Sequence, residues 1–440
     1  MEQPLSQQEI VTSQPEKRGP LHRSPFVSSW KKFFRSLGPG IITGASDDDP
    51  SGIATYSQAG SQNYFSSLWT SLYTIPLMAG IQEMCARIGL VSGHGLAGNM
   101  KRYYPKWVLY GLVGIMCIAS TINIGADIGG MAAALTMLIP LPVFLWAILS
   151  GFGITLLIIK LPYHTIARYL KYAVLALFAY FFVPFIVKTD WTGAILYTLV
   201  PQISLNKKDI ALLVGVLGTT ISPYLFFWQA NVEIEDKMDH AKKTLTRWLV
   251  TKHEMRLMQE DVTLGMVFSN IVMWFIIVTT ATVLNRNGIT DIETAAQAAD
   301  ALRPFAGEFA RILFAVGIVG AGMLAIPVLA GSASYAVSEI FGWEEGLNKK
   351  FHEARAFYAV IAVATGLGML INLLGLNPMK MLLYAAIING IAAPPLIALI
   401  MHMGNNKQIM KGRTNGVVSN ILGGLAFVVM AGAAIALFVV

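Results

Sequence analysis

Eleven apolar runs, each long enough to cross a bilayer, recur along this 440-residue chain and decide what it can fold into. They lie at roughly 40–60, 66–86, 108–138, 141–159, 170–187, 210–231, 262–284, 308–338, 357–374, 380–401 and 417–439. A helix needs about 20 such residues to span about 30 Å of hydrocarbon. In lipid the backbone must satisfy its own hydrogen bonds, which leaves helices or closed barrels. Runs of this length read as helices, so the expected class is an all-α integral membrane protein with eleven transmembrane helices. The balance of 55% hydrophobic to 13% charged residues is far from that of a water-soluble domain. Residues 1–37 are polar and basic with no apolar h-region, and read as a cytoplasmic tail rather than a cleaved signal.

Orientation follows from Lys and Arg. With the N-terminus inside, all but seven of the 32 fall in the tail or in cytoplasmic loops such as "KRYYPK", "KLPYHTIARYLK" and "KQIMKGR". The seven are Lys188, Lys207, Lys208, Arg286, Arg303, Arg311 and Lys380. This asymmetry places the protein in the cell membrane as a multi-pass chain with its C-terminus external. The formal charge of +7 needs no nucleic acid, because anionic inner-leaflet lipid suffices. Cys85 and Cys117 lack metal or redox spacing and read as small apolar fillers.

Two of the runs cannot be plain helix. In "GASDDDPSGIATY" Pro50 removes a backbone donor, Gly52 weakens the helix, and Ser and Asp compete for backbone hydrogen bonds. A run-on-surface reading competes with this, but an aspartate at membrane depth costs at least ~2.5–3.5 kcal/mol and is functional by default. In "GVLGTTISPYLFFWQA" Thr219, Thr220, Ser222 and Pro223 break the sixth span. The second break lies five spans after the first, an odd step, so the broken helices run in opposite directions. Paired interruptions in inverted halves point to a secondary-transporter site at the midplane.

The order of motifs resembles the Nramp family of divalent-metal transporters from Gly38 onward. "GPGIITGASDDDPSG" is similar to the family's "GPG…DPGN", with Asp49 and Pro50 on its Asp-Pro; 81–97 and 320–341 resemble the segment after its second helix and its eighth helix. The resemblance implies a LeuT-like fold: a 5+5 inverted repeat with unwound helices 1 and 6, plus an eleventh helix. Its parts are expected at 38–190 (first repeat), 205–403 (second repeat) and 416–440 (helix 11), after the 1–37 tail.

Departures from the family pattern carry the substrate reading. The DPGN asparagine is Gly52 here, and the sixth-helix Met-Pro-His is Ser222-Pro223-Tyr224. Losing a soft thioether for a hydroxyl favours hard ions. The tenth-helix glutamine has no clear equivalent, although Asn389 is nearby. The expected metal ligands are Asp49, Ser222 and the freed carbonyls of Ser46 and Thr219; Asp47, Asp48, Gly52 and Asn389 are expected to line an accessory cation vestibule. Such a sparse oxygen site suits Mg2+, and Mn2+ accepts the same oxygens. This pattern resembles the Nramp-related magnesium branch. No cofactor is expected; the divalent ion is the transported substrate, and the protein is expected to be a monomer or weak oligomer.

Asp127 and Tyr224 are candidates for a proton or structural relay. Tyrosine is a poor carrier near neutral pH, and Ile124 stands where the family has an acid, so uncoupled uptake by alternating access is expected. Asp127 is expected rather to pair with a basic group across the bundle. Glu83 and Arg87 read as an ordinary i,i+4 pair; Glu233, Glu235, Asp236 and Asp239 read as a solvated face. His94, His164 and His240 have no ligand spacing. The rivals are a proton-coupled Mn2+/Fe2+ symporter of the same family, a LeuT-fold carrier of organic solutes, and a prenyl-transferring enzyme. Three consecutive aspartates repel a carboxylate solute, and the enzyme needs a second acidic motif where the sequence offers an isolated Asp127.

Overall fold

The structure, a computed structural model, describes residues 39–161, 165, 175–244 and 250–440. The basic tail, most of the segment before the fifth span (His164 included) and part of the loop after the sixth lie outside them, as do the side chains of Asp239 and His240. Residues 38–440 form one unit, and among the described residues there is no strand.

The first span is two helices, α1 (Pro39–Asp47) and α2 (Pro50–Asn63). Then come α3 (Leu68–Ser92), the short α4 (Leu96–Tyr103), α5 (Lys106–Leu138), α6 (Val143–Lys160), α7 (Ala179–Ile186) and the short α8 (Trp191–Leu199). The sixth span is also two helices, α9 (Lys207–Thr220) and α10 (Pro223–Thr244). The remainder are α11 (Lys252–Val283), α12 (Ala310–Phe341), α13 (Arg355–Ile371), α14 (Pro378–Asn405) and α15 (Val417–Val439).

Local chemistry sets these boundaries. Pro50 and Pro223 each open the second half of a broken helix, where a missing N–H costs nothing. A Thr251–Glu254 capping box starts α11, and left-handed glycines at 93 and 342 end α3 and α12. Eight helices are long and apolar enough to cross a membrane among the described residues. The other three expected spans are the broken first, the 25-residue α3, diluted by Gln82, Glu83 and Arg87, and the fifth, described only in its second part. On α15, Val417, Val418, Ile421, Val428 and Phe438 stay exposed, as expected of a helix facing lipid.

Hydrogen bonds between turns sort into two sets and fix the direction of the spans. On the proximal face, where α1 begins, Glu339 accepts from the N–H groups of Gly95 and Gly98, Tyr104 meets His402, and Lys411 reaches Val91 O. On the distal face, where α2 ends, Trp69 donates to Gln202 O, Gln58 to Thr290 O, and Asn377 to Glu293 O. Successive spans therefore alternate in direction, and α1–α2 runs opposite to α9–α10.

α1 lies directly on α11. A Cβ on Gly44 would stand 2.2 Å from Gly265 O, and one on Gly265 would stand 2.1 Å from Gly40 O. Only glycines allow backbones this close. The Glu83–Arg87 pair forms as expected. The acidic group after the sixth break does not read as expected: Glu233 is buried and accepts from Gln229 at 2.8 Å, and Glu235 accepts from Tyr335 Oη at 2.6 Å. The reason is that α10 continues to Thr244 and packs on α12, so its acids meet partners instead of water; Asp236 alone of the three is exposed.

Candidate metal site

The two breaks bring their polar residues to the middle of the bundle. Asp49 sits between α1 and α2 as the N-cap of α2, and its Oδ1 accepts from Gly52 N at 2.6 Å and Ser51 Oγ at 2.7 Å. Its Oδ2 accepts from Asn123 Nδ2 of α5 at 2.9 Å and from Tyr224 Oη of α10 at 3.4 Å. The carboxylate thus joins three spans, and it is 2% exposed.

Asn123 is the hub, and sequence reasoning missed it. Its one amide donates to Asp49 and also to Asp127 Oδ2 at 3.0 Å, while its Oδ1 accepts from Asn389 Nδ2 of α14 at 2.9 Å. Asp127 also accepts from Ser51 N at 3.2 Å. Asp127 is therefore neither isolated nor paired with a base. Among the described residues no Lys, Arg or His forms an ion pair with Asp47, Asp48, Asp49 or Asp127. The signal that could have found Asn123 is its place four residues before Asp127, on the same face of one helix.

At the second break the Ser222 hydroxyl donates to Thr219 O at 2.7 Å and lies 2.9 Å from Gly218 O. The Thr219 carbonyl, expected to be free, is half used; a carbonyl has two lone pairs, so one remains for an ion. Thr219 Oγ1 is 3.2 Å from Tyr56 Oη. The Ser46 hydroxyl turns back to Ile42 O at 2.9 Å, which leaves its side chain committed within α1. Asn389 Oδ1 is buried and accepts no hydrogen bond. A Cβ on Gly52 would meet Asp47 O, Asp49 Oδ1 and Tyr56 Cε2 at 3.4 Å, so a Cβ is accommodated there.

Asp47 and Asp48 do not stand in a wet mouth. They are 0% and 3% exposed and turn toward α11, where Ser269 Oγ donates to Asp47 Oδ2 at 2.6 Å and lies 3.3 Å from Asp48 Oδ1. Among the described residues no three His, Cys, Asp or Glu side chains converge as metal ligands; beside Asp49 the groups at hand are amide, hydroxyl and carbonyl oxygens.

Both ends of the site are shut. Proximally, Gly40 N donates to Asp261 Oδ2 at 2.6 Å and Thr43 Oγ1 to Gln229 Oε1 at 2.5 Å, tying α1 to α11 and α10. Distally, Ser61 Oγ donates to Ile289 O at 2.5 Å, Ile292 N to Gln58 Oε1 at 2.9 Å, and Gln62 Nε2 to Asp209 Oδ1 at 2.9 Å. The arrangement is a buried polar cluster within apolar helices, closed at both ends.

Removing the Asn123 amide leaves two buried carboxylates without their common donor, at a cost of about 1–3 kcal/mol. Asn123→Ala is therefore expected to unfold at lower temperature than the parent. Millimolar divalent ion should recover more stability in the variant than in the parent, because the cation replaces the lost donor. Equal recovery in both would remove Asn123 from the site.

A family description, natural resistance-associated macrophage protein-like, matches residues 40–440. "Divalent metal cation transporter MntH" of Caldanaerobacter subterraneus subsp. tengcongensis is 24% identical over 400 residues, covering 89% of this chain and 90% of that protein. "Metal transporter Nramp6" of Arabidopsis thaliana is 25% identical over 312 residues, 68% of this chain and 57% of the relative. Among solved structures, the Eremococcus coleocola manganese transporter superposes with a TM-score of 0.71 at 16% identity, covering 92% of this chain and 86% of its own. Mhp1, a nucleobase-cation-symport-1 family transporter, gives 0.59 at 11% identity over 91% and 92%. At such identities the structural likeness speaks for the fold, and it agrees with a LeuT-like architecture with two broken helices.

Proposed function

We propose a function on the premise that the chain belongs to the Nramp family: it imports divalent metal cations, Mg2+ and Mn2+ foremost, by alternating access with weak or no proton coupling. The observation that carries this reading is the site itself. Asp49 is held at one helix break by oxygen and nitrogen donors, and the facing break offers the Thr219 carbonyl and the Ser222 hydroxyl with no thioether or imidazole at 222–224. Hard oxygen donors suit Mg2+ and Mn2+, and the missing sulfur disfavours soft Cd2+. Asn389 Oδ1 offers a further oxygen from α14. Relatives whose names specify divalent metal or manganese transport support the ion class.

The ion's route is from the distal to the proximal face. The described proximal loops carry Lys101, Arg102, Lys349, Lys350, Lys411 and Arg413, so this face is the cytoplasmic one by the positive-inside rule. Ser46 contributes its carbonyl from the last turn of α1.

A second reading, proton-coupled symport, is favoured by one observation: Asp127 lies a single amide from Asp49. Uptake into proteoliposomes loaded with a pH dye separates the two. The expected result is Mg2+ and Mn2+ influx without lumenal acidification; metal-dependent acidification that grows with an inward proton gradient selects symport. Ser222→Met combined with Gly52→Asn restores a soft ligand and an oxygen at the two breaks. That double variant is expected to raise Cd2+ affinity relative to Mg2+ by about tenfold or more, roughly 1.4 kcal/mol. Tight Cd2+ binding by the parent, without Mg2+ transport, would sink the hard-ion reading.

A further inference from the structure

We propose that Asp47, Asp48 and Ser269 form a second divalent-cation site, separate from that of Asp49 and backing onto it across the break in the first span. It rests on the reading that the chain carries hard divalent ions. Asp47 and Asp48 are adjacent, buried carboxylates served by the one hydroxyl of Ser269, at 2.6 and 3.3 Å. A hydroxyl donates one proton and cannot satisfy both. Asp47 Oδ1 is fully buried and accepts no hydrogen bond, so an unpartnered carboxyl oxygen points into the protein.

The backbone adds to the imbalance. Asp47 is the last residue of α1, and a helix C-terminus carries partial negative charge and orphan carbonyls. Two carboxylates at that end are on the wrong side of the dipole, and no ion pair reaches them among the described residues. Burying an uncompensated charge costs several kcal/mol. A dication balances both carboxylates at once. The donors are all hard oxygens: two carboxylates, a hydroxyl and helix carbonyls.

The two sites are distinct by direction. Asp49 turns to Ser51, Gly52, Asn123 and Tyr224, on α2, α5 and α10, whereas Asp47 and Asp48 turn to Ser269 on α11. Two ions of like charge side by side repel, and multiple occupancy of this kind eases release from a pore or carrier.

Mn2+ binding to the purified full chain, followed by electron paramagnetic resonance, tests this. The parent is expected to bind two Mn2+ with mutual dipolar broadening. Asp47→Asn should bind one without broadening, and Ser269→Ala, the milder change, should weaken one of the two by about three- to tenfold. Asp49→Asn should also bind one, the ion at Asp47 and Asp48. A single Mn2+ in the parent overturns the second site, as do two tight ions in both Asp47→Asn and Ser269→Ala. Loss of an ion in Asp47→Asn but not in Asp49→Asn upholds the second site while removing Asp49 as the cargo ligand.

Discussion

Replacing Asp49 with alanine is expected to abolish metal uptake. An ion would have to shed part of its hydration to enter a site closed at both ends, and the Asp49 carboxylate, between the two breaks, would be its compensation. Two unit charges 4 Å apart at an effective dielectric near 20 attract by about 4 kcal/mol, and a dication doubles this. Losing it removes far more than the 1.4 kcal/mol that makes a tenfold change, so uptake should drop below detection. The same substitution removes the N-cap of α2, which costs about 0.5–2 kcal/mol of stability. Asp49→Asn keeps an oxygen cap and serves as the control: it should fold like the parent and remain inactive. Uptake by both variants at parental rates would mean the ligand has been placed on the wrong aspartate.

The second large effect is expected from Gly44→Val. The added Cβ would meet the Gly265 carbonyl oxygen at 2.2 Å and its carbon at 2.4 Å, both backbone atoms that cannot rotate away. Overpacking typically costs about 1–3 kcal/mol where side chains can adjust; here α1 itself must move off α11. Its bonds to Asp261 and Gln229 then break, and the proximal closure fails. Uptake should fall at least about tenfold. A cysteine at Ser46, 1% exposed in the parent, should become reactive to a water-soluble thiol reagent. Cys117→Ala removes the half-buried background thiol, Cys85 being buried. Unchanged uptake and an unreactive Ser46→Cys would show that the contact is not part of the gate.

Much of the fold was legible because lipid imposes a strict rule on backbone, and the chain obeys it in eleven runs. The breaks were legible for the same reason: Pro50 and Pro223 stand out only against apolar helix. Asp49 followed from its place before Pro50. Asn123 did not, since a lone asparagine in "STINIGAD" has no pattern until folding sets it between Asp49 and Asp127. Ser269 is likewise one serine in a long helix, and its partners are over 220 residues away. Asp47 and Asp48 were read as lining a vestibule because sequence cannot show which way the side chains at a helix break point. Glu233 and Glu235 were misread because an acidic run past a span looks like a loop until the helix is seen to continue.

The placement of the aspartates also governs how the chain is made. Asp49 has local donors in Ser51 and Gly52, but its Oδ2 waits for Asn123 and Tyr224, 74 and 175 residues later, and Asp47 finds Ser269 222 residues later. At about 5–20 residues per second, that last partner is synthesised roughly 10–45 s after Asp47. Until then the first span is two short helices with Asp47 and Asp48 lacking their hydroxyl partner, and it has no reason to leave the insertion machinery for lipid. A chain stopped near residue 200 should therefore hold its first span loosely, open to protease or thiol labelling, while α5 and α6 are already threaded. The aspartates of the candidate site are then among the first residues made and the last to be seated.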